Sequence, residues 1–263
     1  MHLLHIAPDC PVYFCPRGPS LFGKTNWGKV NRFDKVIDCP AIGRGAAFET
    51  GRVFRSFKMV FVKGRSWEET PLYRHAAAQI RAGRAMWKCT SPEALLRRLE
   101  HDVETLYRSM QAHGFLLQEQ VSRRIEASDG PLLQPFGAAA YPSTIRGSHE
   151  IKIALNEAGD ILFLDGRHRF GIARLLGLPA IPCRVVFRHR DWMRRRALLE
   201  ETAAEAGPEA GPESGRASGP LQSVLHPDLV HLRFSKPAMS GVPAAFAARG
   251  WDLPEYWHPR EVR

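Results

Sequence analysis

Between residues 92 and 113 the apolar side chains recur at helical spacing. Leu95, Leu99, Val103, Leu106 and Met110 lie four, four, three and four positions apart, which is one stripe along a helix. Thr90 or Ser91 can cap its start, Pro92 suits the first turn, Glu93 stands where a capping box wants an acid, and Gly114 supplies a stop. After a polar stretch containing Pro and Gly, residues 122–147, the period changes. Glu150-Ile151-Lys152-Ile153-Ala154-Leu155 alternates as a half-buried strand, Asn156-Glu157-Ala158-Gly159-Asp160 reads as a turn, and Ile161-Leu162-Phe163-Leu164 reads as a buried strand. The three together predict a hairpin. Residues 167–176 then read as a helix, with Phe170, Ala173, Leu175 and Leu176 apolar and Gly177 ending it. Ile181-Pro182-Cys183-Arg184-Val185-Val186-Phe187 predicts a further strand, and Asp191 can cap a last basic helix.

These patterns divide the chain into four sections. Residues 1–55 are rich in Gly, Pro and aromatics without a sustained period, and read as a basic, loop-rich extension. Residues 56–196 form the expected folded body. Residues 197–220 read as a flexible acidic linker, because the stretch from 200 onward holds almost no large apolar side chain to offset the entropy of ordering. Residues 221–263 regain apolar and aromatic content and are expected to dock back onto the body. The expected class is α+β, with a small mixed sheet and packed helices.

Charge changes the picture at two places. Residues 1–65 hold eleven Lys/Arg against four Asp/Glu, and a second basic cluster gathers Arg188, His189, Arg190, Arg194, Arg195 and Arg196, within a chain of formal charge +10. Such clusters suit polyanionic partners, nucleotide or nucleic acid, although much basic charge in proteins is simply solvated. Cys10, Cys15, Cys39, Cys89 and Cys183 are an odd, scattered set. That count argues for reduced thiols and a cytoplasmic location. Met1-His2-Leu3-Leu4-His5 has no basic region before an apolar stretch, so no secretory signal is expected, and no apolar run approaches the roughly 20 residues of a membrane span.

The segment that carries chemistry is Asp165-Gly166-Arg167-His168-Arg169, placed between a strand and a helix. A helix start exposes unpaired N–H groups and the positive end of the dipole, which favours an anion. Gly166 permits a positive φ or close backbone approach. Arg167 and Arg169 can neutralise phosphate, and His168 can donate to a phosphate oxygen. Asp165, at the strand end, could hold Mg²⁺ or accept a proton from an attacking hydroxyl. The plainer alternative is that Asp165 caps the helix and the arginines pair with surface acids.

Leu106-Tyr107-Arg108-Ser109-Met110-Gln111-Ala112-His113-Gly114-Phe115, the hairpin, the turn, and Leu175-Leu176-Gly177-Leu178-Pro179-Ala180-Ile181-Pro182-Cys183-Arg184-Val185 together resemble the ParB N-terminal and sulfiredoxin superfamily. The resemblance spans about a third of the chain. It implies a ParB/sulfiredoxin-like fold and binding of ATP or CTP at the turn. Activities in that superfamily are diverse: DNA-partitioning clamps, nucleases, sulfinic acid reduction and phosphorylation of free serine. Sulfiredoxins place a nucleophilic cysteine before the His-Arg pair, where this chain has Arg167, so sulfinic reduction lacks its attacking group. The helix-turn-helix that follows this domain in ParB clamps is replaced here by a basic helix and the linker. The turn is more similar to the Asp-Gly-His-His-Arg of the free serine kinases, in which the Asp assists transfer and a glutamate near the domain start acts as base. Lys58-Met59-Val60-Phe61-Val62-Lys63 looks like an opening strand, and Glu68 or Glu69 beyond it stands where that base would be, unless both are first-turn acids of a helix reaching Ile80. The resemblance thus implies Mg-dependent, kinase-like phosphoryl transfer to a small-molecule hydroxyl. The rival is a non-enzymatic DNA-binding or regulatory module that grips phosphates with the basic extension and Arg194, Arg195 and Arg196.

Other signals weigh less. Gly18-Pro19-Ser20-Leu21-Phe22-Gly23-Lys24-Thr25 matches the Walker A letters, but the strand before it, Val12-Tyr13-Phe14-Cys15, is short and no apolar stripe follows. Cys10, Cys15 and Cys39 with His2 or His5 lack a second pair at zinc spacing. His226-Pro227-Asp228-Leu229, Trp251, Tyr256 and Trp257 read either as substrate-site residues or as packing anchors for a terminal segment.

Overall fold

A computed structural model of the chain describes residues 3–16, 33–117, 119–120, 150–205, 222–223, 226–229, 233–234, 236–252 and 260–261. In chain order its elements are β1 (Leu4–Ile6), β2 (Val12–Phe14), β3 (Lys35–Ile37), α1 (Arg52–Phe57), α2 (Pro71–Arg81), α3 (Pro92–Arg98), α4 (Glu104–His113), β4 (Ile151–Leu155), β5 (Ile161–Asp165), α5 (Arg167–Leu175), β6 (Ile181–His189), α6 (Arg190–Glu205), β7 (Gln222–Ser223), β8 (Arg233–Phe234), α7 (Lys236–Ala247) and β9 (Arg260–Glu261). The architecture is α+β, a small mixed sheet carrying packed helices.

The main sheet runs β1-β6-β4-β5-β2. The hairpin predicted from the alternation is its centre: β4 and β5 are antiparallel, β4 runs parallel to β6, and β2 runs parallel to β5. β6 serves two partners. Residues 181–183 pair antiparallel with β1, whereas residues 187–189 pair in parallel with β3. Because β4 has a strand on each side and layers on both faces, all five of its residues are buried. The face bearing Ile151, Ile153, Phe163, Cys183 and Val185 packs on the helices, and the opposite face, with Ala154, Leu162 and Val186, packs on Ile42. The segments 92–113 form one helical run, α3 and α4 joined through a π-helical turn at Leu99–Val103. Leu95, Leu99, Val103 and Met110 are buried, as their spacing requires, and Ser91 caps the start by accepting from the Ala94 amide.

Three expectations are corrected. Residues 1–55 are not a loop-rich extension outside the domain, because β1, β2 and β3 are strands of the main sheet and Phe48 is buried in the core. Lys58-Met59-Val60-Phe61-Val62-Lys63 is not an opening strand. It continues α1 as a π-helical turn, Lys58–Val62, because Val53, Phe57 and Phe61 recur every four residues and share one face. Phe61 stacks on Tyr107 at 4.0 Å between ring centroids. The linker assigned to 197–220 is helical in its first part, since α6 runs to Glu205 and buries Leu199. The strand Val12–Phe14 exists, whereas the Walker-like residues 18–25 and the segment 122–147 lie outside the described residues.

The described parts of 221–263 pack on the body. Leu229, Val242 and Phe246 enter the main core. Arg188, on β6, binds Asp228 through Nη2 at 2.7 Å and Nε at 3.0 Å, while Trp192 Nε1 donates to the same carboxylate at 3.0 Å. His226 lies against Trp192 and bonds the Gly159 carbonyl at 2.9 Å. His226, Asp228 and Trp251 are thus packing anchors, and Tyr256 and Trp257 lie outside the described residues. No helix among the described residues is long and apolar enough to cross a membrane.

Candidate functional site

β5 ends at Asp165, and Gly166 turns the chain into α5 with φ +88°, a left-handed conformation that glycine adopts without a Cβ penalty. A Cβ there would also sit 3.0 Å from the Ile151 Cα on the neighbouring strand. No side chain caps α5: Asp165 Oδ1 instead accepts from the Gly166 amide at 2.8 Å, one residue too early to serve the first helical turn. The predicted geometry of strand, glycine and helix start is therefore present, with Asp165 half-exposed beside it.

The Arg167, His168 and Arg169 side chains of the turn do not converge. Arg167 is exposed and lines a cavity on one side of α5. His168 turns inward between the rings of Phe57 and Trp87, at 5.8 and 5.6 Å. Part of its surface remains accessible, yet Nε2 is sealed from solvent. Burial, then the charges of Arg167 and Arg98, push its imidazole down to about 3, so it stays neutral and acts as a wedge under α5. Arg169 leaves on the other side. It donates to Glu150 Oε2 at 2.9 Å and lies over the Phe115 ring at 5.4 Å, with Glu150 only 2% exposed. Separating a buried pair of this kind costs about 3–5 kcal/mol, so Arg169 is fixed to the body.

Two residues of this corner carried no signal as site residues in the sequence. Glu150 is the buried partner of Arg169. Lys152, on β4, is fully buried and places Nζ 3.9 Å from Asp165 Oδ2. Burial pushes the Lys152 ammonium down to about 8; Asp165 pulls it up, and Arg184 and Arg169 push it down further. The alternation reads as a half-buried strand, which would put Lys152 on the open face. Only the tertiary packing, with helices on one face of the sheet and Ile42 on the other, reveals that both faces are covered.

Glu68 and Glu69 lie on a 3₁₀ turn, Trp67–Glu69, before α2. Glu69 accepts from the Ser66 amide at 3.0 Å in a capping box and pairs with Arg65 at 3.4 Å, while Glu68 is exposed and its carbonyl accepts from Arg74. Among the described residues no contact brings either carboxylate to Asp165, and the capping role is the one their geometry serves. Asp165 supplies a single carboxylate. Among the described residues no group of three or more His, Cys, Asp or Glu could hold a metal ion, and the cysteines are free thiols. Mg²⁺ is held in many sites by one carboxylate together with substrate phosphates and water, so here it would arrive with a nucleotide.

The basic side chains of α6 that the sequence singled out each have a contact within the chain. Arg194 pairs with Asp191 at 2.8 Å, Arg196 with Glu200 at 2.8 Å, and Arg195 lies over Trp251 at 5.1 Å. Comparison with known proteins identifies nothing similar to this chain: no family model, no curated protein and no solved structure matches it.

Proposed function

We propose that the turn at the head of α5 binds the phosphates of a nucleotide, ATP or CTP, in a ParB/sulfiredoxin-like domain, and that with Mg²⁺ it transfers a phosphoryl group to a small-molecule hydroxyl. The observation that carries the reading is Gly166, at φ +88°, opening a nine-residue helix that no side chain caps, with Arg167 exposed beside it. Amides at such a terminus, aligned with the helix dipole, favour an anion. In this reading the first-turn amides and Arg167 hold phosphate. His168 and Arg169 do not touch it: they fix α5 against Phe57, Trp87 and Glu150. Asp165 takes the proton from the acceptor hydroxyl as the acceptor oxygen bonds the γ-phosphorus and the bond to the β–γ bridging oxygen breaks, releasing the nucleoside diphosphate. The Lys152 ammonium faces that carboxylate at 3.9 Å. Catalysis of this kind is chiefly positioning and charge stabilisation, which these residues supply. The DNA-binding alternative is less favoured, because Arg194, Arg195 and Arg196 are engaged within the chain.

Calorimetric titration with ATP and CTP, with and without Mg²⁺, tests the reading. Saturable binding that weakens at least tenfold in Arg167→Gln is expected. Asp165→Asn should retain binding and lose nucleotide-dependent phosphorylation of whichever hydroxyl compound a screen identifies. Failure of both nucleotides to bind at millimolar concentration would overturn the proposal.

A further inference from the structure

Beside the head of α5 lies a cavity of about 230 Å³ that the phosphate reading does not use. Its floor is apolar and buried, formed by Phe48, Val53, Leu72 and Ala76. Half-buried aromatic side chains wall it: Phe14 and Phe54, at 5.5 and 5.9 Å from the Phe48 ring, and Trp87 opposite. The rim is polar and carries two guanidinium groups. Arg52 from the first turn of α1, His75 from α2 and Arg167 from α5 are all exposed there, and no acidic residue lines the cavity. Among the described residues no carboxylate pairs with Arg52 or Arg167.

Each feature narrows the ligand. Ring edges and faces around an apolar floor favour a planar aromatic body in offset or edge-to-face contact. An apolar cavity of about 150 Å³ accepts benzene, so this one has room for a body of one or two rings. It is smaller than the roughly 300 Å³ at which pockets for drug-sized ligands begin, and so too small for a whole nucleoside triphosphate. Two guanidinium groups at the rim, with no carboxylate to answer them, call for a carboxylate or phosphate at one end of that body. Gly51 helps create the space: a Cβ on it would meet the Phe14 ring at 2.6 Å, so glycine lets that ring close against the start of α1.

We propose that this cavity is a binding site for a small aryl anion, its one- or two-ring body on the Phe48 floor and its carboxylate or phosphate between Arg52 and Arg167. The site stands apart from the nucleotide reading, sharing Arg167 with it but not the Asp165-Gly166 turn.

The test titrates the full chain with indole-3-carboxylate and phenyl phosphate, with indole-3-carboxamide and tryptamine as neutral and cationic controls. Saturable one-site binding of at least one anion is expected, at least tenfold tighter than either control. Arg52→Glu should weaken it at least tenfold, and His75→Glu, on a different helix, should also weaken it. Both residues are exposed, and an unchanged urea midpoint confirms that each variant folds. Arg52→Glu should leave tripolyphosphate binding nearly unchanged if the α5 turn is the phosphate site, whereas Gly166→Ala should weaken tripolyphosphate more than the aryl acid. No saturable binding of either anion at millimolar concentration, equal binding of tryptamine, or full affinity in folded Arg52→Glu overturns the proposal, whatever tripolyphosphate does.

Discussion

Replacing Asp228 by alanine tests how the C-terminal segment is held. Its carboxylate is 2% exposed and accepts from Arg188 Nε and Nη2, from Trp192 Nε1 at 3.0 Å and from Arg196 Nη1 at 3.5 Å. Burial alone would raise its pKa, but the hydrogen bonds and charge of Arg188, then Trp192 and Arg196, outweigh burial and hold the carboxyl below its usual range. Without Asp228, the Arg188 guanidinium, 8% exposed, keeps among the described residues one carboxylate, Asp34 at 2.7 Å, which is itself 45% exposed. A buried charge stripped of its partner costs about 3–5 kcal/mol, against about 5–15 kcal/mol for the whole stability of a typical protein. Urea unfolding followed by circular dichroism should show that loss as a lowered midpoint at constant slope. Limited proteolysis should also cut within residues 229–252 faster than in the parent. Arg188→Met combined with Asp228→Leu should recover at least about 1 kcal/mol over Asp228→Ala, because apolar replacement of both partners removes the stranded charge. A loss below about 1 kcal/mol, the range of an exposed pair, or a double variant worse than the single, would refute the idea that this pair is a desolvated clasp.

Gly166→Ala should lower stability by roughly 1–2 kcal/mol from the left-handed backbone alone, with more from the 3.0 Å approach to the Ile151 Cα, and an unchanged urea midpoint would contradict it. Acid should destabilise the fold through two histidines. His168 and His226 are held down to about 3 and about 4, so between pH ~6.5 and ~4 the unfolded chain takes protons that the folded chain refuses, and stability falls as pH falls by about 1.4 kcal/mol per pH unit for each. His168→Leu should roughly halve that slope in urea titrations across the window. Lys152 acts in the mildly alkaline range: its folded pKa is near 8 and the unfolded value near 10.5, so stability should rise with pH between about 8 and about 9, and Lys152→Met should abolish that rise; above about 9 the Cys10 and Cys183 thiols, pushed up by burial, pull the other way.

The parts of the fold that were legible in the sequence are those whose burial is set by one local period. The 92–113 stripe, the 150–164 alternation and the strand from Ile181 each hold a core face long enough to display it. What escaped were elements too short for a period. β1 and β3 have three residues each and are strands only because β6 offers edges to pair with, whereas the equally short Val12–Phe14 was legible as a strand. At Lys58–Val62 strand propensity competed with the Val53, Phe57, Phe61 stripe, and packing on Trp67 and Tyr107 decided for helix. Of the site, the turn and its glycine were readable, because the dipeptide carries its own backbone requirement. The destinations of His168, Arg169 and Lys152 were not, since each is set by residues far away in sequence: Phe57 and Trp87, Glu150, and the layers packed on both faces of β4. Arg188 likewise reads as one of a solvated basic cluster until Asp228, forty residues on, is seen to bury it.

The sheet's strand directions explain why a site should form where it does. β2 and β5 run parallel, with Phe14 level with Phe163, so both chains leave the sheet at the same edge. Ligands of open sheets with parallel strands collect outside the carboxyl ends, where connections diverge and leave a crevice. Here the divergence is concrete. After β5 the chain turns at Gly166 into α5, and Phe14 at the end of β2 bonds its amide to the Ala46 carbonyl and packs its ring against Gly51 at the head of α1. The helix starts of α1 and α5 therefore face one rim, each carrying an exposed arginine, Arg52 and Arg167. Two like charges on one rim favour an anion between them, and the fold places no carboxylate there among the residues lining the cavity. Arg167 belongs at once to that rim and to the first turn of α5, so an anion held in the cavity and a phosphate held by the α5 amides would draw on the same guanidinium. Saturating one should weaken the other where they compete for it, or strengthen it where a transferred group bridges the two, and the sign of that coupling separates an inhibitor pocket from an acceptor pocket.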